Sequence, residues 1–402
     1  MTIGLRLVPS GSVSSAPGFL AGAVRAGIKS KKGLDLAILR SEVPCTAAGV
    51  FTTNQIKSAP VILSQKHLAK GQAQAVVVNS GCANACTGKQ GLVDAMEMAK
   101  LTANKLGISL EQVLVASTGV IGVPLPMSKI QAGIAKVKLT REGGHDFCQA
   151  IMTTDTRPKE IAVQADFGGA RITIGGAAKG AGMIHPNMAT MLCFITTDAA
   201  VRSDFLRAAL QRAVDCTFNM ISIDGDTSPS DCVFLLANGL AGNEPLDFET
   251  GTAFQEALTA VCTHLAKSIA QDGEGATKLI EVTVEGAEDE IWARQAARAI
   301  ASSPLVKAAI HGNDPNWGRI VAALGRSGAR VSEERLDIYL NGVCVMKQGC
   351  PAPFNKAEMT TALSKSSNVL TKVCLNLGDG QATAWGCDLS EEYVRINSAY
   401  TT

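Results

Sequence analysis

A chain of 402 residues exceeds one ordinary compact unit, so two lobes, each with its own core, are expected. Its 46% hydrophobic and 18% charged content excludes a disordered chain, and 4% aromatic content points to cores of Ala, Val, Ile and Leu. Lys plus Arg number 37 against 36 Asp plus Glu, so no net field draws the chain to nucleic acid or an anionic membrane, and small-molecule chemistry is favoured.

The opening "MTIGLRLVPSGSVSSAPGF" has no continuous apolar stretch of the kind a secretory signal needs, and no run is apolar long enough to span a membrane. A cytoplasmic protein is expected. The twelve cysteines are scattered, mostly in apolar strings such as "VCLNLG", which suggests reduced core residues. Cys82 and Cys86 lack the further ligands of a zinc site, so no metal is expected there.

Ala75 to Ser80, "AVVVNS", reads as a strand leading into a helix over Leu92 to Leu106, where Leu92, Met96, Ala99, Ala103 and Leu106 share a face and Gly107 stops it. A second strand at 112–117 runs to Thr118-Gly119, and a helix follows around 126–137. That alternation predicts an α/β layered lobe.

From Ile161 to Gly176 the period changes to two, with Gly168-Gly169 as a hairpin turn. Met191 to Thr197 reads as a strand, and Ser203 as the N-cap of a helix carrying Leu206, Leu210, Ala213 and Val214. A helix over Phe254 to Ala270 precedes the strand "KLIEVTVEG". The remainder predicts a helix over 289–311 and strands around 335–345, 372–377 and 391–396.

Glycines near Lys179 suggest a phosphate loop, but no Ser or Thr follows the lysine, and "GEGATK" at 273–278 misses dinucleotide spacing. His185 and His311 belong to no recognisable catalytic motif. Asp224 and Asp226 in "SIDGDTSPSD" suit a divalent ion or an Asp-Gly-Asp turn equally well.

Thr190 is distinctive by position, following "KGAGMIHPNMA" and opening an apolar strand. A threonine hydroxyl is a weak nucleophile unless a neighbouring amine serves as base, and cutting Ala189-Thr190 would create that amine on Thr190 itself. A glycine-rich approach and the small Ala189 suit the bent backbone such a cut requires. Thr is also a common strand residue, so the position alone leaves a structural role open.

At these residues the chain resembles the ornithine acetyltransferases, the glutamate N-acetyltransferases of arginine biosynthesis, whose members cleave themselves before the threonine of a K-G-x-G-M-I-x-P-N-M-A-T-M-L block. Lys179 to Leu192 reproduces the block, and the likeness continues through "APGFLAGAVRAGIK" (16–29), "AAGVFTTN" (47–54), "NSGCANACTG" (79–88), "STGVIG" (117–122), "MTTDTRPK" (152–159), "DGDTS" (224–228), "DPNWGRI" (314–320) and the terminal "INSAYTT". Two departures are Cys82, where the family commonly has a second asparagine, and Pro229-Ser230-Asp231, where T-N-D is usual.

The resemblance implies an α/β fold, two-lobed with stacked β-sheets and flanking helices, cut into an α chain of residues 1–189 and a β chain of residues 190–402. It implies Thr190 as nucleophile, Thr118 and Gly119 as oxyanion hole, and Thr154, Lys179, Thr190, Glu274, Asn397 and Thr402 as the amino-acid site, with Thr153 an alternative to Thr154. The implied reaction moves acetyl from N-acetylornithine to glutamate through an acetyl-threonine, with no cofactor. Acetyl-CoA is a second donor in some members. The implied assembly is a heterotetramer of α and β chains. The rival readings are a self-processed amidohydrolase or aminopeptidase, which passes the acyl group to water, and an uncut binding or structural protein.

Overall fold

The structure, a computed structural model, describes residues 4–30, 33–167, 169–185 and 191–399. Among them, nine strands form one mixed sheet, ordered Arg6–Leu7, Lys159–Phe167, Ala170–Lys179, Leu192–Thr197, Cys232–Ala237, Leu36–Phe51, Gln72–Cys82 and Val113–Val120, with Phe19–Val24 paired to part of Leu36–Phe51. Seven strands form the other: Cys350–Pro351, Val343–Lys347, Asp337–Leu340, Asn368–Cys374, Leu279–Ala287, Gly380–Cys387 and Ile221–Ser222. The expected α/β architecture of two sheets with flanking helices is the one observed.

The larger sheet is buried on both faces, which is why its inner strands read as unbroken apolar runs. In Gln72–Cys82, Ala75 and Val77 pack among the helices Ala59–His67, Gly88–Leu106 and Met127–Lys136, while Val76 and Val78 pack toward Phe147 and Ile151 of the helix Gly144–Ile151. In Cys232–Ala237, Val233 and Leu235 join a third core shared with the smaller sheet. The helix Thr252–Gln271 packs against both sheets, and its buried Leu258, Val261, Leu265 and Ile269 close the space between them. Gln72–Cys82 and Val113–Val120 are parallel, joined through Gly88–Leu106, whose C-terminal stop is Gly107 in the left-handed region at φ 67°.

Four expectations need correction. The span 335–345 is not one strand: Asp337–Leu340 and Val343–Lys347 pair antiparallel across a turn at Asn341-Gly342, where both residues have positive φ. The span 289–311 is two helices, Glu290–Ala301 and Pro304–His311, because Pro304 disfavours helical backbone at Ser303 and instead opens the second helix. Ser203 lies inside the helix Ser203–Cys216, after its N-cap Arg202, and no side chain caps that end. Residues 391–396 belong to a helix, Glu391–Ala399, whose N-terminus is favoured by Glu391 and Glu392 and by Ser390 Oγ accepting from Tyr393 N at 3.4 Å. The alternation of apolar Val394 and Ile396 with polar neighbours suits a strand, and the capping serine outweighs it.

The hairpin over 161–176 is present as Lys159–Phe167 and Ala170–Lys179. The next strand, Leu192–Thr197, pairs antiparallel with Ala170–Lys179 and parallel with Cys232–Ala237, so both strands belong to the larger sheet; residue 189 lies outside the described residues.

Candidate functional site

Thr118 and Gly119 stand near the C-terminal end of Val113–Val120, where its parallel neighbour Gln72–Cys82 also ends. Gly119 has φ 128°, and a Cβ there would lie 2.4 Å from the Gly81 carbonyl carbon, so only glycine allows the two strand ends this approach. Lys179 is the last residue of Ala170–Lys179, and Thr153 and Thr154 follow the helix Gly144–Ile151. Glu274 follows the helix Thr252–Gln271, held by its N–H to Ala181 O at 2.8 Å. Asn397 comes from the last turn of Glu391–Ala399.

All of these line one pocket, together with Ala83, Ile121, Gly182, Met183, Ser228, Pro229 and Ser230. Lys179 is 5% exposed, and its ammonium donates to Thr118 Oγ1 at 3.4 Å, leaving the hydroxyl proton free to point elsewhere. Burial lowers the Lys179 pKa, opposed first by the Asp155 carboxylate. Glu274 is 8% exposed, and its Oε2 accepts from Asn397 Nδ2 at 2.8 Å. A Cβ on Gly182 would stand 2.5 Å from the Glu274 carboxyl, so glycine at 182 gives that carboxylate its place. A buried cation, a buried anion and a strand-end hydroxyl beside a backbone N–H thus converge in one cleft. Such a set can hold an amino acid by both charged groups and polarise an acyl oxygen between them.

Thr118, Gly119, Thr154, Lys179, Glu274 and Asn397 are therefore brought together, as is the alternative Thr153. Ala189, Thr190 and Thr402 lie outside the described residues. Asp224 braces the turn upstream of the proposed cut, accepting from Met183 N at 2.6 Å and Ile184 N at 2.8 Å, with Met183 at φ 57°. Those bonds favour the turn reading of "DGD". His185 Nδ1 lies 3.0 Å from Ser222 Oγ, and His311 bridges Asp388 and Glu391 at 2.7 and 3.2 Å, neither lining the pocket. No three His, Cys, Asp or Glu side chains among the described residues gather as a metal site. Cys82 donates to Val123 O at 3.0 Å, and the cysteines form no disulfide.

Sequence reasoning passed over Asp155, Lys159 and Asp272, a buried ion cluster next to the pocket. Their signal was charge in segments that also carry site residues, "TTDTRPK" and "QDGEG". It also passed over Gly182 and the wall Ser228-Pro229-Ser230, so the Pro229-Ser230 departure falls on the pocket itself.

Residues 20–402 match the model of the ArgJ family. A protein described as the arginine biosynthesis bifunctional protein ArgJ of Dehalococcoides mccartyi is 54% identical over 406 residues, covering 100% of both chains. The protein of the same description from Bacillus licheniformis is 49% identical, covering 98% of this chain and 97% of its own. A crystal structure of the arginine biosynthesis bifunctional protein ArgJ from Bacillus halodurans superposes with a TM-score of 0.51 at 47% identity, covering 52% of this chain and 98% of the solved one. Among the described residues no helix is long and apolar enough to cross a membrane. With a family match from residue 20 to the C-terminus and relatives of such identity along the whole length, the chain belongs to the ArgJ family.

Proposed function

We propose that this chain is a glutamate N-acetyltransferase of arginine biosynthesis, an ornithine acetyltransferase that cuts itself between Ala189 and Thr190. The observation that carries this reading is the convergence of Thr118, Gly119, Lys179 and Glu274 on one pocket. Leu192, two residues beyond Thr190, is paired in register with Lys179. At about 3.5 Å per residue the chain can carry residue 190 no more than about 7 Å from Leu192. A nucleophile at 190 is thereby kept at the end of the strand that delivers the pocket lysine.

In this reading the Thr190 hydroxyl first attacks the Ala189 carbonyl carbon. The Ala189–Thr190 C–N bond breaks as the nitrogen takes the proton, which frees the Thr190 α-amine and leaves an ester on Oγ. Water hydrolyses that ester to an Ala189 carboxylate and the free Thr190 hydroxyl. That amine then takes the proton of Thr190 Oγ as the oxygen attacks the acetyl carbon of N-acetylornithine. The oxyanion is held by the Thr118 hydroxyl and Gly119 N–H. Collapse returns the proton to the leaving nitrogen, ornithine departs, and an acetyl ester remains on Thr190. The glutamate amine attacks that ester and leaves as N-acetylglutamate. Lys179 binds the amino-acid carboxylate, and Glu274, with Asn397 and Thr154, the nitrogen side. The chemistry is complete with these groups and calls on no metal or organic cofactor.

The bifunctional name of the relatives supports a second activity, with acetyl-CoA as donor. The solved Bacillus halodurans chain matches about half of this one, as a processed half would. Assembly as a heterotetramer of two α and two β chains, and a place in the cytoplasm, complete the proposal. The test is product analysis with N-acetylornithine: N-acetylglutamate that forms only when glutamate is added supports transfer. Acetate released at the same rate without glutamate would instead make the protein a hydrolase.

A further inference from the structure

An ion cluster lies against the pocket. Lys159 Nζ is 2.6 Å from Asp155 Oδ1 and 2.5 Å from Asp272 Oδ2, with the three side chains 0%, 0% and 4% exposed. Charges this deeply buried persist only when paired and hydrogen-bonded, and removal of one partner leaves an uncompensated charge. Each carboxylate is also bonded to backbone that shapes the site. Asp155 accepts from Thr153 N at 2.9 Å and Gly180 N at 2.7 Å, and Asp272 accepts from Thr156 N at 3.0 Å and from the Thr156 hydroxyl. Asp155 therefore sits next to Thr154 in the chain and bonds the residue after Lys179, while Asp272 stands two residues before Glu274. One ammonium ties together the segments that carry three proposed substrate contacts.

The cluster also sets the charge around Lys179. Burial acts to raise the Asp155 pKa, but the ammoniums of Lys159 and then Lys179 outweigh it and hold the carboxyl below its usual range. Asp155 thus pairs with one lysine shut off from solvent and feels the charge of another that lines the pocket, whose next residue it holds through Gly180 N.

We propose that Lys159 is a positioning residue for substrate binding: it occupies Asp155 and Asp272, so that the Lys179 ammonium remains available to the substrate carboxylate and is not drawn onto Asp155. The inference rests on the role given above to Lys179. Once the chain is cut at residue 189, Lys159 and Asp272 belong to different chains, and the cluster then also registers one chain against the other.

The experiment compares Lys159→Met with Lys159→Met/Asp272→Asn in the full-length, self-processed protein. In the single variant KM for N-acetylornithine should rise about tenfold or more while kcat stays within about threefold, the pattern of lost binding, and melting temperature should fall. The double variant removes the surplus buried carboxylate, so melting temperature should recover, yet KM should stay high because Asp155 has lost the Lys159 ammonium and still draws on Lys179. A KM that recovers in step with melting temperature would overturn the proposal and leave the cluster a packing device. Loss of soluble protein in both variants would overturn it too, assigning the cluster to folding. Lys179→Ala measured alongside separates the two readings. An unchanged KM there defeats the role of Lys179 itself, whereas a raised KM there with a normal one in Lys159→Met defeats only the present inference.

Discussion

Lys179 and Leu192 are direct partners across adjacent antiparallel strands, so the strands before and after the twelve residues that separate them in sequence meet at one point of the sheet. A cut between Ala189 and Thr190 severs none of the strand pairings among the described residues. Residues 170–179 and 192–197 stay hydrogen-bonded, and the core over them draws on both sides of the cut, with Ile172 and Ile174 packed among Cys193, Val261 and Leu265. The two fragments should therefore co-elute from a native sizing column and separate only under denaturant. Fragments that part in native buffer would contradict this packing.

Thr118→Ala removes the hydroxyl assigned to the oxyanion and leaves the Gly119 N–H. The loss should fall on kcat, by about a hundredfold to a thousandfold, with KM for N-acetylornithine little changed. Steady-state kinetics on the processed variant decide it, and a change confined to KM would move Thr118 from transition-state stabilisation to ground-state binding.

Deleting residues 397–402 removes Asn397 and its 2.8 Å bond to Glu274 while leaving the start of the helix, where His311 bridges Asp388 and Glu391. Self-cleavage should proceed, because the turn at Met183 and Ile184 is braced by Asp224 from elsewhere in the chain. Acetyl transfer should collapse. A gel and an assay on one sample read both, and transfer at the wild-type rate would make the tail a loose end.

Lys29, close enough to Lys179 and Asp155 to feel both charges, has its pKa lowered to about 8, chiefly by burial. An unfolded lysine titrates near 10.4. Between those values the folded chain has released a proton that the unfolded chain still holds, so this group's contribution makes stability rise with pH. Lys29→Met should remove that contribution. Denaturant unfolding of wild type and variant from pH 7.5 to 10.5 should give a difference that shifts in favour of wild type as pH rises; a difference flat across that range would contradict it.

Local patterning carried much of the fold. The helices at 88–106 and 252–271 and the hairpin at 159–179 were legible because period and stop signals agree. The terminal helix was not, since its five-residue alternation resembles a strand and its cap is a single serine. The site was legible where residue type and chemistry coincide, as at Lys179 and Thr118. Asp155, Lys159 and Asp272 escaped because their importance lies in meeting one another, at separations of 113 residues for Lys159 and Asp272. Long-range pairing of that kind leaves no local period. Gly182 is similar: its need for glycine is set by Glu274, distant in sequence.

The most direct test of the account is the intact mass of the purified protein before and after brief exposure to N-acetylornithine, without glutamate. Two chains of 189 and 213 residues are predicted, the second beginning Thr-Met-Leu-Cys and gaining the mass of one acetyl group on exposure, with the gain lost when glutamate is added. One uncut chain of 402 residues that transfers acetyl at full rate would contradict the account, as would a cut chain that never carries the acetyl group while transfer proceeds.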